Sequence, residues 1–230
     1  MLFVTGDTHG HIDIGKLMSL RDTRKDLTKD DVLIICGDAA LTWDKSRTTE
    51  KNVAFHNKNP WTTISAEGNH ENFDTLYELP IIYKYGGPMY KVANSVYYAE
   101  RGNIYNICGK KVFIFGGATS TDKAWRTPHK SWWPQEEPTE EQMELGLQTV
   151  RKYAKDIDIV ITHTCPSSIM HCFDYNRQDS TTQYLEQVLY LLENSGNTKY
   201  HWFFGHMHQN LTFVDQHFTA VYNAIHKIKE

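Results

Sequence analysis

The chain reads as short apolar runs ending near glycine, separated by longer stretches of mixed character. Leu2-Phe3-Val4 leads to Gly6, Asp31 opens Val32-Leu33-Ile34-Ile35-Cys36 before Gly37, and Trp61-Thr62-Thr63-Ile64 leads to Gly68. Apolar runs this short, closed by a turn residue, are the pattern of buried strands. Between the first two, Ile12, Leu17, Leu20 and Leu27 predict a helix with one apolar side. Between the second and third, the spacing predicts a helix from about Ser46, with Val53 and Phe55 facing the core. Strand, helix and strand at this length make a parallel βαβ unit, whose crossover needs a dozen residues or more.

From Tyr83 to Ala118 the pattern turns hairpin-like. Gly86-Gly87-Pro88 is a turn, SVYYAERG a short strand, and NIYNICGKKVFIFGGA two strands joined at Cys108-Gly109-Lys110. An antiparallel portion after a βαβ portion predicts a mixed sheet or two stacked sheets. Residues 119–138 then lose all periodicity while holding Trp125, Trp132 and Trp133 together with Lys123, Arg126, His129 and Lys130. Irregular stretches of about 20 residues inside a domain are usually functional or disordered, and aromatic richness argues against disorder. The segment is read as an ordered loop over a site; the competing reading is that its tryptophans fill a side core.

Thr139 to Gln142 is a capping box opening a helix to about Lys155, and Ser180 to Gln183 is read as a second box opening a helix closed by Gly196. IDIVITH is a strand ending in His163, TKYHWFFGHMH one ending in His206 and His208, and FTAVYNA the last strand. With no linker or low-complexity tract, residues 1–230 are expected to form one domain.

Composition narrows the class. The chain has 230 residues, 40% hydrophobic and 23% charged, and a net charge of −4, so a surface built to coat nucleic acid is not expected. Cys36, Cys108, Cys165 and Cys172 are scattered without a C-x-x-C, which suits a reducing compartment. No basic n-region precedes the first strand and no apolar run is long enough to cross a bilayer, so a cytoplasmic protein without membrane partners is expected.

The chemistry gathers at strand ends. Asp7 and His9, two apart, share a face if the strand stays extended. Asp38, Asn69, His70, His163, His206 and His208 follow other strands, and Asp7, Asp38 and Asn69 are each 31 apart. Taken singly, a histidine after a strand is a satisfied loop residue and an aspartate after glycine a turn residue. Together, five strands present metal-ligand types at the edge where open α/β sheets bind ligands. Two Asp, one Asn and four His without Cys suit Mn, Fe, Zn or Co better than thiolate zinc or calcium. Seven donors exceed one tetrahedral ion and suit two cations sharing a carboxylate, whose bridging water ionises near neutral pH and serves as nucleophile.

The ordered series GDTHG, GD, GNHE, a strand-terminal TH and GHMH, spanning residues 5–208, resembles the calcineurin-like metallophosphoesterase superfamily. The resemblance implies a four-layer αββα sandwich of two mixed β-sheets with flanking helices. It implies that Asp7, His9 and His208 hold one ion, that Asn69, His163 and His206 hold the other, and that Asp38 bridges. His70 would protonate the leaving oxygen or stabilise transition-state charge. The chain departs from the GDxxDRG of the protein serine/threonine phosphatases: it has GDAALTWD, without the acidic partner of the histidine and without the arginine. Asp44 or Glu71 is the candidate replacement for the acid, and Lys123 and Arg126 are the candidate phosphate clamps. Residues 116–138 also look like a bacterial and phage subgroup of these proteins.

The expected function is a dinuclear metal-dependent phosphoesterase acting on small phosphomonoesters or phosphodiesters, with Mn, Fe or Zn. Trp132 or Trp133 is a candidate for stacking on a nucleobase. Long nucleic acid is not an expected partner, since no basic stripe is apparent. The alternatives are a protein serine/threonine phosphatase, disfavoured by the missing GDxxDRG, and a catalytically silent scaffold, disfavoured by the presence of every ligand and the catalytic histidine.

Overall fold

The computed structural model describes residues 1–173, 179–213 and 217–229. The first three apolar runs are strands buried along their whole length: β1 (Leu2–Thr5), β2 (Val32–Ile35) and β3 (Thr62–Ser65). They are parallel, with Leu2 opposite Val32 and Val32 opposite Thr62, a stride of 30 residues. The polar tips recur at a stride of 31. Asp7 therefore stands two residues beyond Thr5, Asp38 three beyond Ile35 and Asn69 four beyond Ser65.

The crossovers are α1 (Gly15–Thr23) and α2 (Arg47–Lys58). α1 is shorter than its apolar spacing suggested: Ile12 is 72% exposed in the turn before it, and Leu27 is buried in the loop after it. α2 begins at the Ser46 cap, whose hydroxyl accepts from the Thr49 N–H. It buries Asn52 and His56 outright, whereas Val53 and Phe55 are half-buried. Residues 52 and 56, one turn apart, run down the centre of the covered stripe, and the apolar pair lies on its flanks.

After the short α3 (Phe73–Leu76) come β4 (Ile81–Lys84), β5 (Gly87–Ala93), β6 (Val96–Ala99), β7 (Asn103–Ile107) and β8 (Lys110–Phe115). Then follow α4 (Glu140–Tyr153), β9 (Ile159–Thr162), α5 (Ser167–Met170), α6 (Ser180–Asn194), β10 (His201–Phe204), β11 (Leu211–Phe213), β12 (Phe218–Ala220) and β13 (Ile225–Ile228). α4 uses the expected Thr139 box. α6 is capped one residue earlier than expected: the Asp179 carboxylate accepts from Thr182 N–H, and the Thr182 hydroxyl accepts from Asp179 N–H. The last expected strand stops at Ala220, and β11 and β13, short and mostly unburied, were not legible as strands.

Two mixed sheets result among the described residues, in the orders β13-β1-β2-β3-β6-β5-β4 and β11-β12-β10-β9-β8-β7. Leu2, Val4, Val32, Ile34 and Ile64 face Val112, Ile114, Ile159, Ile161 and Phe203 between the sheets. Phe3, Leu33 and Ile35 pack outward with Leu17 of α1. On the far side Phe113, Phe115, Trp202 and Phe204 pack with Val150 of α4 and Leu185, Val188 and Leu192 of α6. The layers are helix, sheet, sheet, helix, a calcineurin-like sandwich, because each strand's alternate residues feed two different cores. Among the described residues, no helix is long and apolar enough to cross a membrane.

Candidate active site

The carboxyl ends of β1, β2, β3, β9 and β10 bring their polar tips together. Asp7 and His9 do not meet by strand alternation, because β1 stops at Thr5 and His9 has turned into the left-handed region with φ 43°. That turn puts His9 Nε2 3.5 Å from Asp38 Oδ2 and 4.0 Å from Asp7 Oδ2. Asp38, His206 and His208 are also left-handed, with φ of 54°, 64° and 49°. Left-handed non-glycine residues are costly and gather at functional sites.

One group of donors is Asp7, His9 and His208, with His208 Nε2 3.1 Å from Asp7 Oδ2. A second is Asp7, Asp38 and His163, with His163 Nε2 3.4 Å from Asp38 Oδ1. Asn69 Oδ1 faces the same His163 nitrogen at 2.9 Å. The His206 ring lies edge-on to that of His163, centroids 4.9 Å apart, and its backbone N–H donates to the Asp7 carboxylate. All seven expected ligand residues thus converge. Close approach depends on two glycines: a Cβ at Gly68 would sit 1.9 Å from Asp38 Oδ1, and one at Gly205 would sit 2.2 Å from Asp7 Oδ1.

The donor chemistry fits cations. His163 Nδ1 donates to the Cys36 carbonyl at 2.7 Å, which aims Nε2 at the Asn69 and Asp38 oxygens. Only a proton or a metal ion on Nε2 makes that meeting favourable. Without a metal, burial opposes charging His163, but the Asp38 carboxylate overcomes it and raises the imidazole to about 9. His9 is likewise raised to about 9 against burial, chiefly by Asp38 and also by Asp13. Asp38 is held well below the usual carboxylate range, its own burial outweighed by His163, His9 and His70. Burial first, then His163, lowers His206 to about 4.

A supporting layer was not legible in the sequence. Asp13 accepts from His9 Nδ1 at 2.7 Å, freeing Nε2 for the centre. Ser120 accepts from Asn69 Nδ2 at 3.0 Å and donates to Glu136 at 2.7 Å, which turns the Asn69 carbonyl oxygen inward. Lys16 reaches back from α1 to the carbonyls of Gly6, Asp7 and Tyr222 and clamps the loop that carries Asp7. Ser120 and Glu136 lie near the two ends of the aromatic loop; Asp13 and Lys16 carry no local signal at all.

His70 stands at the mouth of the centre, its Nε2 4.0 Å from Asp38 Oδ2 and its backbone N–H donating to Asp38 Oδ1 at 2.8 Å. Arg126 Nη1 donates to His70 Nδ1 at 3.0 Å. That bond requires a lone pair on Nδ1 and therefore the tautomer with its proton on Nε2. Burial lowers the His70 pKa, and the Arg126 charge lowers it further against the pull of Asp38. Neither acidic candidate reaches His70. Glu71 is buried and accepts from the Ala39 N–H and the Tyr98 hydroxyl, while Asp44 accepts from Ser46 N–H and Thr49 hydroxyl at the start of α2.

The remaining loop candidates are spread out. Lys123 is paired with Glu137 at 2.7 Å and lies over the Trp132 ring. Trp133 is 1% exposed, donates to Asp74 and packs edge-on against Trp43. It fills a side core, as the competing reading held. Trp125 is 92% exposed. Trp43, passed over in the sequence, is the indole that approaches His70, centroids 6.4 Å apart.

Comparison with known proteins adds an independent line. The model of the calcineurin-like phosphoesterase family matches residues 2–210. The chain is 26% identical over 246 residues to a lariat debranching enzyme of Danio rerio, covering 93% of this chain and 41% of the relative. It is 25% identical over 249 residues to lariat debranching enzyme A of Xenopus laevis, covering 93% of this chain and 44% of the relative. The chain thus spans less than half the length of these curated relatives.

Proposed function

The chain belongs to the calcineurin-like phosphoesterase family, and from that premise we propose that it is a metal-dependent phosphoric ester hydrolase that cleaves small phosphomonoesters or phosphodiesters at a two-cation centre. Asp7, His9 and His208 would hold one cation, Asn69, His163 and His206 would hold the other, and Asp38 would serve both. The nitrogen-and-oxygen donor set favours Mn, Fe or Zn, and such a pair would supply an acidified water and polarise the phosphate oxygens. The observation that carries the reading is the meeting of the donor atoms around Asp38 with His70 beside them.

The protein's own contribution is orientation. Asp13 and the Cys36 carbonyl fix the tautomers of His9 and His163 through their Nδ1 protons. Arg126 fixes His70 with the opposite tautomer, so His70 presents an N–H. Giving up that proton from a neutral imidazole would leave an anion, so His70 acts as a hydrogen-bond donor to the departing oxygen, stabilising the charge that develops there.

His70→Ala should keep its full metal content by elemental analysis while turnover of an aryl phosphate falls about 10²-fold, the scale expected for such a group. Unchanged turnover would remove His70 from the reaction. A panel of phosphomonoesters, phosphodiesters and a lariat, run on Mn-, Fe- and Zn-loaded protein and read as kcat/KM, ranks the substrates. The lariat belongs there because both relatives are named for debranching it.

A further inference from the structure

A cleft of about 580 Å³ opens directly against His9 and His70. It is lined by the turn Gly10-His11-Ile12, by Ala40, Trp43 and Asp44, and by the first turn of α2. Its size lies within the range of small-molecule sites. Nothing in the site described above uses its walls beyond His9 and His70.

The lining decides what the cleft takes. Trp43 is a braced ring: it meets the buried Trp133 edge-on at 5.6 Å, and Trp133 is itself pinned by the Asp74 carboxylate. Ile12, 72% exposed, adds a second apolar surface to the lining. Ser46, Thr48 and Thr49 bring hydroxyls to the lining, that of Thr49 donating to Asp44. Among the described residues, no lysine or arginine lines the cleft, and the one carboxylate is Asp44. A second phosphate would meet the Asp44 carboxylate and, among the described residues, no lysine or arginine, whereas a neutral ring could stack on Trp43 and use the hydroxyls of the lining.

We infer that this cleft receives the leaving alcohol of the ester and selects one bearing a neutral planar ring over an alkyl alcohol or one carrying its own phosphate. The inference rests on the phosphoesterase reading, because His70, the donor to the departing oxygen, forms the border between the metal-ligand cluster and the cleft.

The test compares 1-naphthyl phosphate with methyl phosphate, so that the intrinsic reactivity of each ester cancels between protein forms. Trp43→Ala, and separately Ile12→Asp on the exposed turn, should lower the ratio of kcat/KM for naphthyl over methyl ester about tenfold or more, within the scale of a lost aromatic stack. An unchanged ratio in both variants overturns the inference. Calorimetry of the metal-loaded protein with 1-naphthol decides the cleft without turnover. Binding that weakens in both variants supports it, and no binding to the wild type at millimolar ligand overturns it. If neither ester is cleaved by any form, the phosphoesterase reading falls, and the naphthol titration still decides whether the cleft holds a ring.

Discussion

Arg126 Nη1 lies 3.0 Å from His70 Nδ1, and the same guanidinium is held in turn by Asp122 and by the carbonyl of Ser131. The side-chain partner of His70 Nδ1 is therefore a cation and not an acid. The consequence is a neutral histidine with its proton turned toward the metal-ligand cluster.

Arg126→Gln should lower kcat for an aryl phosphate by about 10- to 100-fold with metal content unchanged. Titration of His70 carries the sharper signature. The Arg126 charge helps to hold the His70 pKa below its ordinary 6.5, so its removal lets that pKa rise. Histidine titration of the metal-free protein, followed by NMR, should therefore show a higher His70 pKa in Arg126→Gln than in the wild type. A His70 pKa that does not move would show that Arg126 does not act on this ring.

Ser120→Ala removes the hydroxyl that accepts from Asn69 Nδ2. Affinity for one of two bound cations should drop about 10- to 100-fold, the usual effect of losing a partner behind a ligand. Metal titration followed by calorimetry should show one site weakened and the other kept. Equal weakening of both sites would contradict the assignment of Asn69 to a single ion.

Gly68→Ala would drive a methyl group to 1.9 Å from Asp38 Oδ1 and 2.3 Å from its backbone nitrogen. The expected result is loss of metal binding together with a stability loss of about 1–3 kcal/mol, the overpacking range, measured by urea unfolding.

Metal loading should release protons. His9 and His163 are both raised to about 9 in the metal-free protein, so both carry a proton at pH 7 that a cation must displace. Calorimetry in buffers of differing ionisation enthalpy should find release approaching two protons per chain. The metal-free protein should also lose stability as pH rises from about 6.5 through 9, because a raised histidine pKa stabilises the fold only while the ring is protonated. A metal-free protein whose unfolding midpoint is flat over that window would refute the pairing with Asp38.

What the linear chain determined was set by patterns that repeat locally. Runs such as Val32 to Cys36 have no polar side to expose, so they form strands covered on both faces, and the glycines that follow mark where each chain segment must turn. The order GDTHG, GD, GNHE, TH and GHMH carried the family resemblance and named the candidate donors before any coordinates, because metal chemistry admits few residue types. The helix start at Glu140 was legible from its Thr139 capping box for the same local reason. Tertiary structure decided what depends on approach between distant segments. It set Arg126 on His70 across 56 positions, Ser120 between Asn69 and Glu136, and Trp43 rather than Trp132 or Trp133 beside His70. Those partners are chosen by packing of loops onto a finished sandwich. A hydrogen bond made after folding leaves no periodicity, cap or spacing in the sequence from which to infer it.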